Sequence, residues 1–522
     1  MVESSQSALP RVSQEAPSQS DAGYASQTAK PEDLPNDLEK NNDHSQPMSD
    51  ATIEDPNLVD FDGPNDRANP KNWSFKRKWL ATGLVSLITL MTPMASSMIA
   101  PAAQAIKHDL HVGSTFESEL IFSIFLLAFV FGPIFLAPLS EMYGRVIVLQ
   151  IANIWFLIFT LACGFAKTTG QMLAFRFLSG LGACAPQSIG GGVLSDLWSP
   201  EQRGMAMALY SLGPMLGPSA GPLMGAWITA RTTWRWSFWA VTIFGAAVQI
   251  LNFFYLQETF APRLLDLKAQ RLRKETGNEK LHTKYQSTTA TYRQRVYTSL
   301  TRVITLLFTQ PIIQFLALAI SLFYGIIYLL LATYPLVWTR IYHQSTGIAG
   351  LNYISLMIGT TLGPQINGRL LDFTYRRLKA RAPDGKGRPE FRIPVLVLST
   401  ALVFGGLLMF GWSAQEHTHW IVPNIGIVFF GLGTTVSFTS LQSYTIDAYP
   451  TYAASAIGAT AIARSVTGFA FPLFADYMFD GIGFGWGCTV LAGATLVVGY
   501  GGSFVLWFYG QKLRESSPYA AE

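Results

Sequence analysis

From Trp79 onward, runs of about 20 mostly apolar residues recur along this 522-residue chain. Each is long enough to cross a hydrocarbon layer of about 30 Å as an α-helix. Lipid offers the backbone no hydrogen-bond partner, so segments of this length satisfy their amides only by coiling into helices. Twelve such runs are read, at 79 to 100, 118 to 139, 146 to 166, 171 to 195, 204 to 229, 236 to 257, 311 to 334, 346 to 368, 393 to 413, 420 to 441, 453 to 475 and 484 to 508. A polar stretch between the sixth and seventh, residues 258 to 310, carries ten Lys and Arg and divides them six and six. Charged residues make up only 13% of the chain, against roughly 25% in soluble domains. The sequence therefore predicts an all-α polytopic membrane protein with twelve transmembrane helices in two six-helix bundles. Cys163, Cys184 and Cys488 fall inside apolar runs, where they read as small buried hydrophobes with no role in disulfides or metal binding.

The first 66 residues hold 14 of the 33 acidic side chains, with Arg11, Lys30 and Lys40 as their only bases. Rich in Ser, Gln, Pro, Asp and Asn, they bury too little to offset their ordering entropy. Residues 1–72 are expected to be a disordered cytoplasmic tail, and nothing in them reads as a cleaved signal peptide. Positively charged loops stay on the cytoplasmic side of a membrane. With the tail there, that side collects 27 Lys and Arg, and the other has five: Lys107, Lys167, Arg231, Arg235 and Arg340. Both termini are expected in the cytoplasm, with bundles at 73–257 and 311–510, a central cytoplasmic loop at 258–310 and a C-terminal tail at 511–522.

The halves echo each other. Asp196-Leu-Trp-Ser-Pro200-Glu-Gln-Arg203-Gly204 follows the fourth run, and Asp447-Ala-Tyr-Pro450 follows the tenth. Leu139-Ser-Glu141-Met-Tyr-Gly144-Arg145 follows the second, and Gly368-Arg369-Leu-Leu-Asp372 the eighth. Internal repeats of this kind build many secondary transporters, with the substrate site near midplane between the repeats. Short turns that merely reuse Gly and charge would look similar.

Four further segments carry a family resemblance: Asn69-Pro-Lys-Asn-Trp73, Gln257-Glu-Thr-Phe-Ala-Pro262, Tyr449-Pro-Thr-Tyr-Ala-Ala-Ser455 and Phe471-Pro-Leu-Phe474. Over roughly residues 69 to 510 the chain resembles the major facilitator superfamily, and within it the twelve-span drug:proton antiporters of fungi. The turn after the second run is similar to the family signature Gly-x-Leu-x-Asp-x-x-Gly-Arg, with Ala137 and Glu141 as departures. A tight turn there needs Gly144, and Glu141, Arg145, Asp196 and Arg203 form a candidate charge cluster closing the cytoplasmic face. Such a cluster is either a latch that breaks when the halves rock apart or a static surface network worth little. In the fifth run, Gly213, Gly217, Gly221 and Gly225 stand four apart on one face, which permits close approach by another helix. With Pro218 they resemble the antiporter signature Gly-x-x-x-Gly-Pro-x-x-Gly-Gly, Pro222 replacing the last Gly. The resemblance implies a hinge and favours export. The embedded Gly217-Pro-Ser219-Ala-Gly221 also fits a hydrolase pattern, but lacks the strand-turn-helix setting and the His partner that chemistry needs.

Charge inside a bilayer is costly and points to function. Arg176 matches the family's Arg-x-x-x-Gly signature, and Arg464 lies near the middle of the eleventh run. Eleven residues separate Arg176 from Gln187, leaving about 20° of rotation on a helix, so Arg176, Gly180, Ala183 and Gln187 share a face expected to line the cavity. The alternative for both arginines is satisfaction by neighbouring carbonyls or polar side chains. Asp and Glu are absent from the middle of every run; Glu117, Glu119 and Asp476 lie near outer ends and Asp447 near an inner one. That balance disfavours polycations and suits anionic or neutral amphipathic molecules. Tyr324 and Tyr328 recur at helical spacing in the seventh run, and their rings and hydroxyls suit such ligands or else ordinary helix packing. Gln365 and Asn367 are further candidates.

The chain is thus expected to be a secondary transporter, not an enzyme, exporting a small amphipathic compound by alternating access. The family resemblance implies exchange for protons, and no Walker loop points to ATP. The alternative is an uptake symporter for an organic anion or other nutrient. Expected partners are the small-molecule substrate, protons and the lipid bilayer of the plasma membrane. Neither cofactor nor metal nor nucleic acid is expected, and the chain is expected to act as a monomer.

Overall fold

The computed structural model describes residues 55, 57–63, 65–199, 202–285, 292–383, 387–450 and 452–520; the expected tail up to Glu54 lies outside them. The first half comprises α1 (Phe75–Ser97), a short α2 (Ala103–Asp109), α3 (Thr115–Tyr143), α4 (Arg145–Gly164), α5 (Thr169–Ala183), α6 (Ala185–Leu197), α7 (Arg203–Arg231) and α8 (Arg235–Tyr255). The central stretch forms α9 (Ala261–Thr276) and α10 (Tyr292–Thr309). The second half comprises α11 (Pro311–Leu336), α12 (Thr346–Leu351), α13 (Tyr353–Arg381), α14 (Ile393–Gln415), α15 (Ile421–Ala448) and α16 (Ala453–Glu515). Gly483, at φ 80°, breaks α16 into two helices that hold the last two apolar runs.

Every expected run coincides with a helix or a pair of helices, and among the described residues eight stretches are long and apolar enough to cross a membrane. The others have local reasons to fall short. The fourth run is divided at Cys184, because Pro186 lacks an N–H and its ring crowds the preceding turn. Helix α7 is diluted by Gly and Pro, and α13 by Gly, Asn, Gln and Arg. Large apolar side chains on α4, including Ile147, Ile151, Ile154 and Ile158, are exposed at helical spacing, as a lipid-facing stripe requires.

Lipid tails are as apolar as leucine, so helices in a membrane associate through close packing and polar contacts. The glycine stripe of α7 does this against α1. A methyl group at Gly213 would stand 2.9 Å from Leu90 N, and one at Gly217 would stand 3.0 Å from Leu90 O. At Gly221 and Gly225 it would collide with the carbonyls of Met94 and Met98. The two backbones therefore touch over three turns.

The end bearing residues 67–78, the central stretch and the C-terminus is the basic face; the other is the far face. On the basic face, residues at the end of the expected tail are engaged. The Val59 amide donates to His282 O at 2.7 Å and the His282 amide to Asn57 O at 2.9 Å. Lys268 meets Asp62 at 2.6 Å and Lys284 meets Asp60 at 3.0 Å. Helix α10 packs against α3 and α16, with Leu306 fully buried and Arg302 5.4 Å above the Tyr452 ring. On the far face the halves touch where Gly350 packs on Ala226 and Gly347 lies beside Ala230. Asp109 accepts from Arg235 at 2.7 Å and from the Trp234 indole at 2.9 Å.

Replacing Gly221 by Leu drives a side chain into α1 and is expected to cost about 1–3 kcal/mol. The purified protein in detergent should melt several degrees lower, whereas Gly204→Leu, whose Cβ position is open, should leave the melting temperature within a degree of the parent.

Candidate functional site

Midway along the bundle, side chains from both halves converge on Arg464 of α16. Its Nη2 donates to Gln187 Oε1 of α6 at 3.4 Å, and its guanidinium lies 5.0 Å from the centre of the Tyr324 ring and 5.5 Å from that of Phe438. The Tyr324 and Tyr328 rings are 4.9 Å apart, and the Tyr328 hydroxyl meets Ser96 Oγ of α1 at 3.0 Å. Arg464 Nε is buried with no hydrogen-bond partner, and no Asp or Glu among the described residues pairs with the guanidinium. The expected site residues Gln187, Tyr324, Tyr328 and Arg464 are thus assembled across the seam.

Arg176 is not among them. It is 1% exposed and donates to the carbonyls of Ile121, Ala95, Ser96 and Phe122 at 3.0 to 3.3 Å, with the Phe125 ring 4.9 Å away. Four carbonyls from α1 and α3 occupy the guanidinium, and the void beside it is about 10 Å³, room for a single water. The face expected to line a cavity is turned inward: Gly180 packs on Phe125 O of α3 and Ala183 is fully buried. The break at Cys184 separates Gln187 from that face. Gln365 stands exposed on α13. Its neighbour Asn367 is engaged instead, donating to Thr439 at 2.7 Å and accepting from Ser440 at 3.2 Å.

The basic-face cluster is smaller than expected and lies within the first half. Arg145 Nε reaches Asp196 Oδ2 at 2.5 Å, joining α4 to α6. Glu141 is exposed. Arg203 donates at 3.4 Å to the carbonyls of Ser195 and Trp198, where a cation complements the negative end of α6. The missing anion is Glu258, which accepts from the amides of Arg145, Val146, Thr259 and Phe260 at 2.9 to 3.1 Å and so caps the positive end of α4. Gly144 has φ 107°, and a Cβ there would collide with Glu258, so the turn excludes other residues twice over. The second half repeats the pair. Arg392 meets Asp447 at 2.5 Å, and a neighbouring ion pair joins Glu390 to Arg514 at 3.1 Å. Asp447 matches Asp196 as the repeat predicts. Arg369 does not match Arg145, because α13 runs on to Arg381 and the equivalent turn comes later.

The sequence matches the Major Facilitator Superfamily over residues 85–472. The chain belongs to that superfamily. The efflux pump vrtL of Penicillium aethiopicum is 46% identical to this facilitator over 477 residues, covering 91% of this chain and 94% of its own. The efflux pump radE of Floropilus chiversii is 39% identical over 460 residues, covering 88% and 85%. A partially occluded, inward-open structure of the xylose transporter XylE from E. coli superposes with a TM-score of 0.58 at 17% identity, covering 82% of this chain and 98% of that one. The likeness to XylE is one of fold.

Two members of the facilitator's site escaped the sequence pattern. Phe438 lies in a run of Thr and Ser and frames Arg464 from α15. Glu258 stands in a segment that carried the family resemblance, yet its target lies 113 residues away. Glu258→Gln should lower transport of a fluorescent amphipathic probe at least ten-fold with membrane insertion unchanged, and Arg145→Ala likewise. Full transport by both variants in everted vesicles would remove the cluster from the working parts.

Proposed function

We propose that this facilitator exports a small amphipathic compound, neutral or anionic, by alternating access in exchange for protons. The observation that carries the substrate reading is Arg464. A half-buried cation with an unpartnered Nε, framed by two aromatic rings and an amide from the opposite half, is a ready acceptor for an anionic or polar group on an otherwise apolar molecule. A polycation would meet repulsion there, with no carboxylate to offset it.

Export is supported by the relatives, two of which are named efflux pumps, and by the glycine-rich α7. On this reading the basic face is cytoplasmic, the far face is extracellular, and the chain works as a monomer in the plasma membrane. One proton crossing with the potential yields about 2.3 kcal/mol per 100 mV, which supports useful accumulation against a gradient. Alternating access requires two packings of one pair of halves. The Gly350–Ala226 contact and the Ser96–Tyr328 bond are the contacts expected to part when the far face opens.

Everted plasma-membrane vesicles with an acidic lumen test the whole reading. The anionic probe 8-anilinonaphthalene-1-sulfonate and neutral Nile red should accumulate, and spermidine should not. Arg464→Gln should cut uptake of the anionic probe at least ten-fold while changing Nile red less than three-fold. Spermidine as the best substrate would overturn the charge argument, and accumulation only in intact cells would make the protein an importer.

A further inference from the structure

The far ends of α3 and α16, which pack together across the two halves, each bring a carboxylate to the seam. Glu119 of α3 is only 7% exposed, and its Oε2 has no hydrogen-bond partner. Asp476 of α16 is half-buried, with a buried Oδ1 that also lacks one. A Cβ at Gly468 of α16 would stand 3.3 Å from Leu126 of α3, and because the two helices run in opposite directions, seven residues further toward the far face bring Glu119 level with the turn that carries Asp476.

Their surroundings supply cations to Asp476 and none to Glu119. Glu117, the other acid on this end of α3, accepts from the Gly113 amide at 3.2 Å. On the side of Asp476 stand Lys107 of α2, Arg340 of the turn after α11, and Asp480 of α16 itself. Arg340 is 3.8 Å from Asp480, and that carboxylate shares its charge. Arg176, the cation of neighbouring α5, is occupied by four carbonyls.

Glu119, buried with an unpartnered oxygen and no counter-ion of its own, cannot keep its charge beside a second carboxylate while the contact stays closed. Either a proton sits on one of them or the contact opens to water. We infer that Glu119 and Asp476 form a proton-binding gate between the halves: with the far ends together the pair holds one proton, and with both carboxylates ionised the far ends part. The proton is taken from water at the far face as the ends close and returned there as they open, so its binding free energy is the coupling between far-face acidity and conformation. The gate rests on the alternating-access reading, because it needs a state in which the seam is open.

Nitroxide labels on the exposed far-face residues Thr233, beside α8, and Ser345, before α12, report the separation of the halves by double electron–electron resonance in proteoliposomes. In the parent chain the short-distance population should fall at least five-fold between pH 5 and pH 9. Glu119→Gln leaves at most one charge at the seam, as the one-proton pair does, and should hold the low-pH distribution at every pH; Asp476→Asn should do the same. A parent distribution indifferent to pH, or a variant that follows the parent, would overturn the gate even if one variant folds poorly. Transport of 8-anilinonaphthalene-1-sulfonate by the labelled chain separates the two failures. Transport with two distances that ignore pH sinks the gate alone, whereas one fixed distance with no transport sinks alternating access and the gate together.

Discussion

Close backbone approach between helices is the constraint on which this fold depends. A membrane supplies no hydrophobic drive for one helix to leave lipid for another, so contact must come from atoms brought nearer than side chains ordinarily allow. Gly213, Gly217, Gly221 and Gly225 let α7 lie on the backbone of α1. Gly180 does the same for α5 on α3, Gly359 for α13 on α15, and Gly406 for α14 on α15. With helices this close, a carbonyl of one chain segment falls within reach of a polar group on the next. That is how Arg176 comes to hold α1, α3 and α5 together through four carbonyl oxygens.

Seen this way, the two intramembrane arginines differ because their helices differ in company. Arg176 sits among three helices of one half, at closest packing, and its charge is dispersed over backbone dipoles. Arg464 sits on the seam between aromatic rings and reaches the other half by one long bond of its own, to Gln187. A cation that is fully satisfied holds a structure, and one with a spare donor facing a seam is available to a ligand. The basic-face ion pairs belong to the first kind: Arg145 with Asp196, and Arg392 with Asp447, each bind helices inside one half.

Much of this was legible in the sequence. Apolar runs located the helices, glycines four apart marked a face open to close approach by another helix, and tyrosines at helical spacing were among the candidates that lie beside Arg464. What failed were directions and distances. Helical periodicity shows that Arg176, Gly180 and Ala183 share a face, but not whether it looks toward the seam or toward α3. Pro186 breaks the helix before Gln187, and the shared face ends there. Gln365 and Asn367 looked equivalent, yet only Asn367 turns toward α15. Glu258 and Glu119 depend on partners more than a hundred residues away, and single-chain patterning contains no such information.

Placing substrate and proton at separate points on one helix has a mechanical consequence. Arg464 and Asp476 are twelve residues apart on α16, about 18 Å along a helix, with Pro472 between them. On the proposed assignment neither ligand competes for the other's group, so any influence of one on the other must pass through the position of α16 relative to the first half. The same helix packs on α3 and meets α6 through Arg464 and Gln187. A change of charge at the far end therefore alters the contact that places Arg464 against Gln187, and a ligand on Arg464 alters the contact that determines whether the carboxylates meet. Such coupling is reciprocal by thermodynamic necessity, and it requires only that α16 move with the second half as one body. Pro472 stands between the two contacts, where its missing backbone hydrogen bond makes bending easiest, so the stiffness of that turn decides how strongly a change of charge at the far end is felt at the central site.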